Sequence, residues 1–389
     1  MRTIENAAKR YFSLFSLMIT AIFFMQCQPA QSEPTGTKPT PDEKQTIMLA
    51  LLLDTSNSMD GLIDQAKSQL WKIVNELASA KCDDGSRPNI KIALYEYGND
   101  GLPSSEGYIR QVSPLTNDLD VISEKLFSLT TNGGNEFCGY VIRTSLQQLD
   151  WSSSKADLKM IFIAGNEPFT QGSVPYQTAC ELAKEKDVVV NTIYCGNFDE
   201  GMNSSWKRGA DITGGTYMAI DQDRKTVYIP TPYDDKIATL NERLNDTYIY
   251  YGKNGSNKKA LQATQDRNAE TYGASNKVER AVSKSSGAYD NRSWDLVDAA
   301  KDDTKAVEKA SEETLPAEMK GMTVEQRKSY VKQKSTEREN IQAEIQKLNA
   351  QRVAYQAQQS STEVAGGGLE GTMIKAIKAQ AKSKKLTWK

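Results

Sequence analysis

Three oxygen-bearing side chains stand at alternate positions early in the chain: Asp54, Ser56 and Ser58. They follow an unbroken apolar run, residues 47–53, and precede a long amphipathic segment, so the pattern places them where a buried strand meets a helix. One carboxylate and two hydroxyls can turn toward a single point there, and hard cations such as Mg²⁺ favour such oxygen ligands. The alternative is a helix N-cap with polar neighbours, which needs no metal.

Composition narrows the classes of function. The chain has 389 residues, a formal net charge of −2 and no histidine. The length favours two or three domains. Without histidine, Ser–His–Asp and Cys–His catalysis and imidazole metal ligands are excluded. The near-neutral charge provides no global attraction to nucleic acid, so we expect no nucleic-acid partner.

From residue 46 onward, apolar runs of strand length alternate with amphipathic segments of helix length. The predicted strands are residues 47–53, 91–97, 108–112, 158–164, 188–194 and 214–220. Apolar strands separated by helices predict an α/β fold with a doubly wound, mostly parallel six-stranded sheet. A mainly α-helical C-terminal region is expected to follow.

Polar pairs occur in several loops of this pattern. Ligands of open parallel sheets bind outside the carboxyl ends of the strands. We expect the polar loop residues to lie at that rim together with Asp54; they are Asn99 and Asp100, Asn135 and Glu136, and Asn166 and Glu167.

Residues 46–225 resemble a von Willebrand factor type A (VWA) domain. The resemblance rests on Asp54-x-Ser56-x-Ser58 after a hydrophobic strand, Gly-Gly at 133–134 before a helix, a polar turn at 165–168 and a Gly-Gly final strand at 212–216. It implies a metal-ion-dependent adhesion site whose first-loop ligands are Asp54, Ser56 and Ser58. It also implies Mg²⁺, with Mn²⁺ or Ca²⁺ as alternatives, and a protein partner that offers a carboxylate to the metal.

The second loop departs from the family pattern. The family's threonine aligns with Asn135, whose amide oxygen could still bind a metal. Thr130 and Thr131 lie close enough that a small change of register would restore a hydroxyl.

The third loop departs further. The family's aspartate aligns with Gly165, which has no side chain to offer. Glu136, Asn166 and Glu167 are the candidates to replace it, and one more carboxylate beside Asp54 would make a workable Mg²⁺ site. The candidate metal ligands are therefore Asp54, Ser56, Ser58, Asn135, Glu136 and Glu167.

The N-terminus has the pattern of an export signal over residues 1–27. Basic residues within the first ten positions precede an apolar core at 11–25, which is of signal-peptide length. Cys27 and the Pro/Ser/Thr/Gln-rich tether at 28–45 resemble a bacterial lipoprotein signal, which implies lipidation of Cys27 and membrane anchoring in the cell envelope. Gln26 departs from that pattern, and ordinary signal-peptidase cleavage nearby is the alternative.

Four further cysteines remain: Cys82, Cys138, Cys180 and Cys195. An even number in an exported protein favours disulfides, with three possible connectivities. We predict at least one disulfide, with Cys138 and Cys195 as the first candidate pair because both are expected near the top of the sheet. Buried free thiols are the alternative.

Residues 226–389 have polar helical patterns. A long helix is predicted over 325–359, where Ile341, Ile345 and Leu348 recur at spacings of four and three. That is too short a heptad pattern for a strong coiled coil, so packing along neighbouring helices is favoured. A basic tail from residue 373 is either a solvated end or a contact for anionic lipid.

These observations favour an exported, lipid-anchored binding module that is not an enzyme. One alternative is an envelope scaffold with a vestigial metal site. A metal-assisted hydrolase is disfavoured, because the carboxylates are scattered and show no paired motif.

Overall fold

The computed structural model describes residues 44–221, 223, 228–359 and 369–388, and the described residues belong to one compact unit. The predicted signal peptide, Cys27 and nearly all of the predicted tether lie outside the described residues. Within the described part, no helix is both long enough and apolar enough to cross a bilayer.

A six-stranded sheet forms the centre of the fold, in the order β4-β3-β1-β5-β6-β7. All neighbouring strands are parallel except β3 and β4, which are antiparallel. This confirms the predicted mostly parallel six-stranded sheet. The described strands are β1 (Thr46–Asp54), β2 (Ala80–Lys81), β3 (Asn89–Tyr97), β4 (Ile109–Thr116), β5 (Leu158–Gly165), β6 (Val189–Cys195), β7 (Tyr217–Ile220) and β8 (Thr387–Trp388).

Helices cover both faces of the sheet and build the C-terminal region. They are α1 (Asp60–Ala78), α2 (Leu119–Phe127), α3 (Cys138–Gln148), α4 (Tyr176–Glu185), α5 (Phe198–Asn203), α6 (Trp206–Thr213), α7 (Asp234–Asn245), α8 (Gly255–Thr271), α9 (Ala274–Lys284), α10 (Leu296–Asp302), α11 (Ala306–Lys309), α12 (Val324–Gln359) and α13 (Leu369–Ala381).

The side chains of strand β1 explain why helices cover both faces of the sheet. Its side chains alternate between two apolar cores, with Leu51 and Leu53 on the face of α1 and α2, and Ala50 and Leu52 on the face of α3, α4 and α6. Because every residue of β1 is buried, neither face could remain in water without exposing a row of aliphatic side chains.

The C-terminal region packs onto the sheet domain. Helix α9 and helix α13 both lie against α1, and β8 pairs with β2 in a short antiparallel ribbon. Met373 and Ile377 of α13 are buried in the same core as α1, so the apolar face of the predicted basic tail is covered by the chain itself. Its lysines include Lys378, which forms an ion pair with Glu76.

The predicted long helix corresponds to α12. Ile341, Ile345 and Leu348 are buried in the chain's own core, beside α7 and α9. Packing along neighbouring helices is therefore confirmed, and a coiled coil with a second chain is not supported.

Two buried arginines of α12 hold it in place, and sequence reasoning missed both. Arg338 binds the carboxylates of Asp295 and Asp298 at 2.5 and 2.9 Å. Arg352 binds Asp234 and Glu279 at 3.1 and 2.7 Å. In sequence these residues look like ordinary surface charges, because nothing local shows that they are buried.

The predicted disulfide is wrong for the described chain, since all four of its cysteines are buried free thiols. Cys138 packs in the core on the α3 and α4 face, whereas Cys195 packs in the core on the α1 face. The sheet lies between the two proposed partners. Cys180 shares a face with Cys138, and Cys82 shares one with Cys195, yet these are free as well.

Candidate functional site

Asp54 ends β1 at the carboxyl rim of the sheet, as predicted. Its side chain is 0% exposed. The Oδ1 atom accepts a hydrogen bond from the backbone N–H of Ser56 at 2.8 Å, while the Oδ2 atom is buried without a hydrogen-bond partner among the described residues. A buried carboxylate oxygen without a donor is costly, so this oxygen is available for a ligand.

Glu136 lies beside Asp54, and two glycines make the approach possible. A Cβ atom on Gly98 would lie 2.8 Å from Asp54 Oδ1 and 2.8 Å from Glu136 Cγ. A Cβ atom on Gly134 would lie 2.3 Å from the carbonyl oxygen of Gly98. Because neither position has room for a side chain, the loop before α3 can press against the end of β3 and bring Glu136, 5% exposed, to the rim.

The two serines line the same rim. The hydroxyls of Ser56 and Ser58 are 3.2 Å apart, and Asn166 donates its amide N–H to Ser58 Oγ at 3.1 Å. The nearby Ser56 hydroxyl lowers the pKa of Asp54 and that of Glu136, which opposes part of the rise that burial causes. Ser56 is buried, whereas Ser58 is exposed, so the site opens to solvent on the side of Ser58.

Gly165 occupies the position of the family's third-loop aspartate and has no room for one. A Cβ atom there would lie 2.5 Å from the hydroxyl of Tyr97 and 3.0 Å from Asp54 Oδ2. The Tyr97 hydroxyl donates to the carbonyl oxygen of Ala164 at 2.9 Å and is fully buried with its ring. Tyr97 thus fills the space beside Asp54 that a third-loop side chain would need.

The remaining predicted ligands are less buried than Asp54 and Glu136. Asn135 is exposed, in contrast to its neighbour Glu136. Glu167 is half-buried and accepts a hydrogen bond from Gln171 Nε2 at 3.1 Å. Thr131 donates to the carboxylate of Asp60 at the start of α1, so its hydroxyl is engaged there and does not take the second-loop position.

The electrostatics of the rim favour a bound cation. The pKa of Asp54 is raised well above its ordinary value. Burial is the largest cause, the charge of Glu136 is the second, and the charge of Glu167 adds a smaller effect. The pKa of Glu136 is raised to about 7, mainly by burial and next by the charge of Glu167. Each shift reflects a carboxylate that is costly to ionise because it is desolvated and faces other carboxylates. A divalent cation would remove that cost.

The donor set fits a hard cation that keeps part of its water. Within the described chain, no three acidic, cysteine or histidine side chains converge closely enough to enclose a metal by themselves. Asp54 and Glu136 with the hydroxyls of Ser56 and Ser58 would leave positions for water, which suits Mg²⁺ better than a metal that requires a closed protein cage.

Sequence reasoning missed Tyr97 and Gly98. Both stand at the end of an apolar strand, where a tyrosine looks like core and a glycine looks like a turn. The available signal was the position of the Tyr-Gly pair at the carboxyl end of the strand next to β1, which is where a ligand site is expected.

Residues 49–204 match the family model of the von Willebrand factor type A domain. This stretch of the chain is therefore a VWA domain, as its motifs indicated. No curated protein matches the chain.

Three solved structures are similar to part of this chain. BatB from Bacteroides thetaiotaomicron is 16% identical over 45% of this chain and 90% of its own, with a TM-score of 0.34. An aerotolerance-related membrane protein from Bacteroides fragilis is 14% identical over 46% of this chain and 93% of its own, with a TM-score of 0.32. Proximal thread matrix protein 1 from the mussel byssus, with a zinc-occupied MIDAS motif, is 12% identical over 47% of this chain and 43% of its own, with a TM-score of 0.34.

Proposed function

We propose that the carboxyl rim of the VWA domain binds a divalent cation, Mg²⁺ first among Mg²⁺, Mn²⁺ and Ca²⁺, and uses it to hold a carboxylate of a protein partner. Asp54 and Glu136 supply the two negative charges. Ser56 and Ser58 supply neutral oxygens, directly or through water. Glu167 lies at the edge of the site and strengthens its attraction for cations.

The observation that carries this proposal is the buried Oδ2 atom of Asp54, which lacks a hydrogen-bond partner among the described residues. A side chain that served only to cap the following helix would need one accepting oxygen, and Oδ1 already has that role through the N–H of Ser56. The second oxygen then has no structural task. A cation would satisfy it and would also reduce the repulsion from Glu136.

Glu136 replaces the missing third-loop aspartate in this proposal. The family places its second carboxylate on the loop after β5, where this chain has Gly165 and where Tyr97 fills the space. A carboxylate from the loop before α3 restores the same charge from the other side of Asp54. The cation then sees two carboxylates, which is the number typical of protein Mg²⁺ sites.

Partner binding would use the exposed side of the rim. Mg²⁺ commonly keeps several waters, and replacing one of them by a partner carboxylate makes the contact depend on both charge and geometry. The two site carboxylates neutralise the cation, so we expect weaker partner binding than at a site with one carboxylate fewer.

The segment preceding the described residues gives the proposal its setting. An export signal at 1–27, lipidated at Cys27, and a polar tether at 28–45 would present the VWA face away from a membrane of the cell envelope. Fractionation tests this part: a Cys27→Ser chain that is processed and still partitions with membranes like the wild type would contradict lipid anchoring.

The central test is calorimetric titration of the chain with Mg²⁺, Mn²⁺ and Ca²⁺. We expect saturable binding to the wild type and none to Asp54→Asn. Asp199→Asn is the matched control, because Asp199 is an exposed carboxylate of α5 outside the cluster, and we expect it to bind like the wild type. Equal weak binding by all three chains would leave the scaffold role, with a vestigial site, as the better description.

A further inference from the structure

Three helices of the C-terminal region bring an amine, a carboxamide and a carboxylate into mutual contact. Lys284 is the last residue of α9, Asn245 is the last residue of α7, and Asp266 lies on α8. The Lys284 side chain is 0% exposed. A lysine is almost never fully buried unless it is paired, and Lys284 is paired with Asp266.

The contacts form a closed triangle. Lys284 Nζ donates to Asn245 Oδ1 and to Asp266 Oδ2, the latter at 2.7 Å. Asn245 Nδ2 donates to the same Asp266 Oδ2 at 2.8 Å. The carboxylate oxygen therefore touches both the amine and the nitrogen that would leave the carboxamide, while the amine is held against the carboxamide itself.

We propose that Lys284 and Asn245 form an intramolecular isopeptide bond, with Asp266 carrying the proton. Asp266 takes a proton from the Lys284 ammonium, and the freed amine attacks Asn245 Cγ. A new N–C bond forms and the Cγ–Nδ2 bond breaks. The departing nitrogen takes up the protons that Asp266 relays and leaves as ammonium, and Asp266 returns to its carboxylate form. No oxidant, reductant or other reactant is required.

The surroundings suit each role. Burial lowers the pKa of Lys284 to about 8, with Arg280 adding to the effect and Asp266 opposing it, so the neutral amine needed for attack is easier to reach than on the surface. Burial alone would raise the pKa of Asp266, but Lys284 and Arg280 hold it below its usual range. Asp266 thus begins ionised. Its lowered pKa makes it a weak base while Lys284 is charged, and the loss of the Lys284 charge on proton transfer raises that pKa again.

Arg280 orients the carboxylate. Its Nε atom donates to Asp266 Oδ1 at 3.0 Å, which leaves Oδ2 to face Lys284 and Asn245, with Asn241 Nδ2 as a third and longer donor at 3.3 Å. An ion pair that only stabilised the fold would need Lys284 and Asp266 alone. In addition, Lys284 and Asp266 both contact the carboxamide of Asn245. The reaction needs this arrangement, because holding the reacting groups close and well oriented removes much of the barrier to such a condensation.

A half-buried lysine, Lys259, provides a contrast beside the same cluster. Lys259 Nζ also contacts Asn245, but through the backbone carbonyl oxygen, and it further contacts Gln262 Oε1 at 3.3 Å and the ring of Tyr248. We therefore expect Lys259 to remain a free amine. The proposed bond would tie α7 to α9 across 39 residues of chain and restrict the unfolded state, as a disulfide would.

Peptide mapping of the full chain by mass spectrometry tests the proposal. Trypsin cuts after Arg243, Lys253, Arg280 and Arg292. For the wild type we expect peptide 244–253 joined to peptide 281–292 in one branched species, lighter than the sum of the two by one ammonia and uncut after Lys284. Linear 244–253 and 281–284 at full mass in the wild type would overturn the proposal, and this outcome does not depend on any variant folding.

Variants assign the roles. Lys284→Met and Asn245→Leu should give linear peptides, and Lys259→Met, the matched control, should keep the branched species. Asp266→Asn should give linear peptides. A branched species formed to the wild-type extent in Asp266→Asn would overturn the proton-carrying role of Asp266.

Discussion

The hydroxyl of Tyr97 occupies the space beside Asp54 that a side chain at residue 165 would need, since a Cβ atom on Gly165 would lie 2.5 Å from it. The tyrosine is held there by its hydrogen bond to the carbonyl oxygen of Ala164 and by complete burial. The absence of a third-loop aspartate is therefore linked to the presence of Tyr97, because the two side chains would need the same space. An aspartate at residue 165 alone would not take up the family's ligand position.

Changing residues 165 and 97 together should restore a third-loop carboxylate to the site. We expect Gly165→Asp by itself to destabilise the fold by about 1–3 kcal/mol through overpacking, without tighter cation binding. Gly165→Asp combined with Tyr97→Phe removes the hydroxyl and should bind Mg²⁺ more tightly than the wild type. Titration calorimetry and urea unfolding measure the two effects. Tyr97→Phe alone is the control, and tighter binding by the Gly165→Asp single variant would contradict the steric explanation.

Cation binding should stabilise the protein by mass action. With Mg²⁺ at ~100 times its dissociation constant, we expect about 2.7 kcal/mol of added stability relative to chelator. Thermal unfolding in chelator and in excess Mg²⁺ measures it. Asp54→Asn should lose the Mg²⁺ effect. Asn135→Ala should keep it because Asn135 is not among the proposed ligands. Equal midpoints for the wild type in both conditions would contradict a cation site.

The stability of the cation-free protein should depend on pH with an unusual sign. The pKa of Glu136 is raised from 4.5 to about 7 in the folded chain, so the folded state binds more protons than the unfolded state between these values. Stability should therefore fall as pH rises from about 4.5 to about 7. We expect Asp54, whose pKa is also raised, to act in the same direction.

Urea unfolding at several pH values in chelator measures this dependence. Glu136→Gln should flatten the profile in that window, and saturating Mg²⁺ should oppose it because the cation favours the ionised carboxylates. A wild-type stability that rises from pH 5 to pH 7 in chelator would contradict the electrostatic description of the rim.

The anchoring of α12 predicts a large loss when one partner of a buried ion pair is removed. Arg338 and Asp295 are both almost completely buried, so Arg338→Met leaves an uncompensated carboxylate and should cost about 3–5 kcal/mol. The double variant Arg338→Met with Asp295→Asn should recover part of that loss, because the amide removes the unpaired charge while its oxygen can still accept from the backbone N–H of Asp298 at the start of α10. Urea unfolding of the two variants measures both effects, with Lys332→Met, at an exposed position of the same helix, as the control.

The sequence by itself determined the sheet and the position of one site residue, Asp54. Residues 47–53 are apolar throughout, and an apolar strand must be covered on both faces, so the doubly wound fold and the position of Asp54 at its rim followed from local pattern. The long helix could also be predicted from the sequence, because the residues of α12 have high helix propensity over its whole length.

Tertiary structure decided which residues meet. Whether Glu136 or Glu167 would approach Asp54 depended on the close contact between the backbones of Gly98 and Gly134, which are 36 positions apart in the sequence and have no local signal for each other. The same holds for Cys138 and Cys195, which the sheet separates, and for Asn245, Asp266 and Lys284, which three helices bring together. Periodicity reports which face of an element is buried, but contacts between distant elements depend on packing that no single segment encodes.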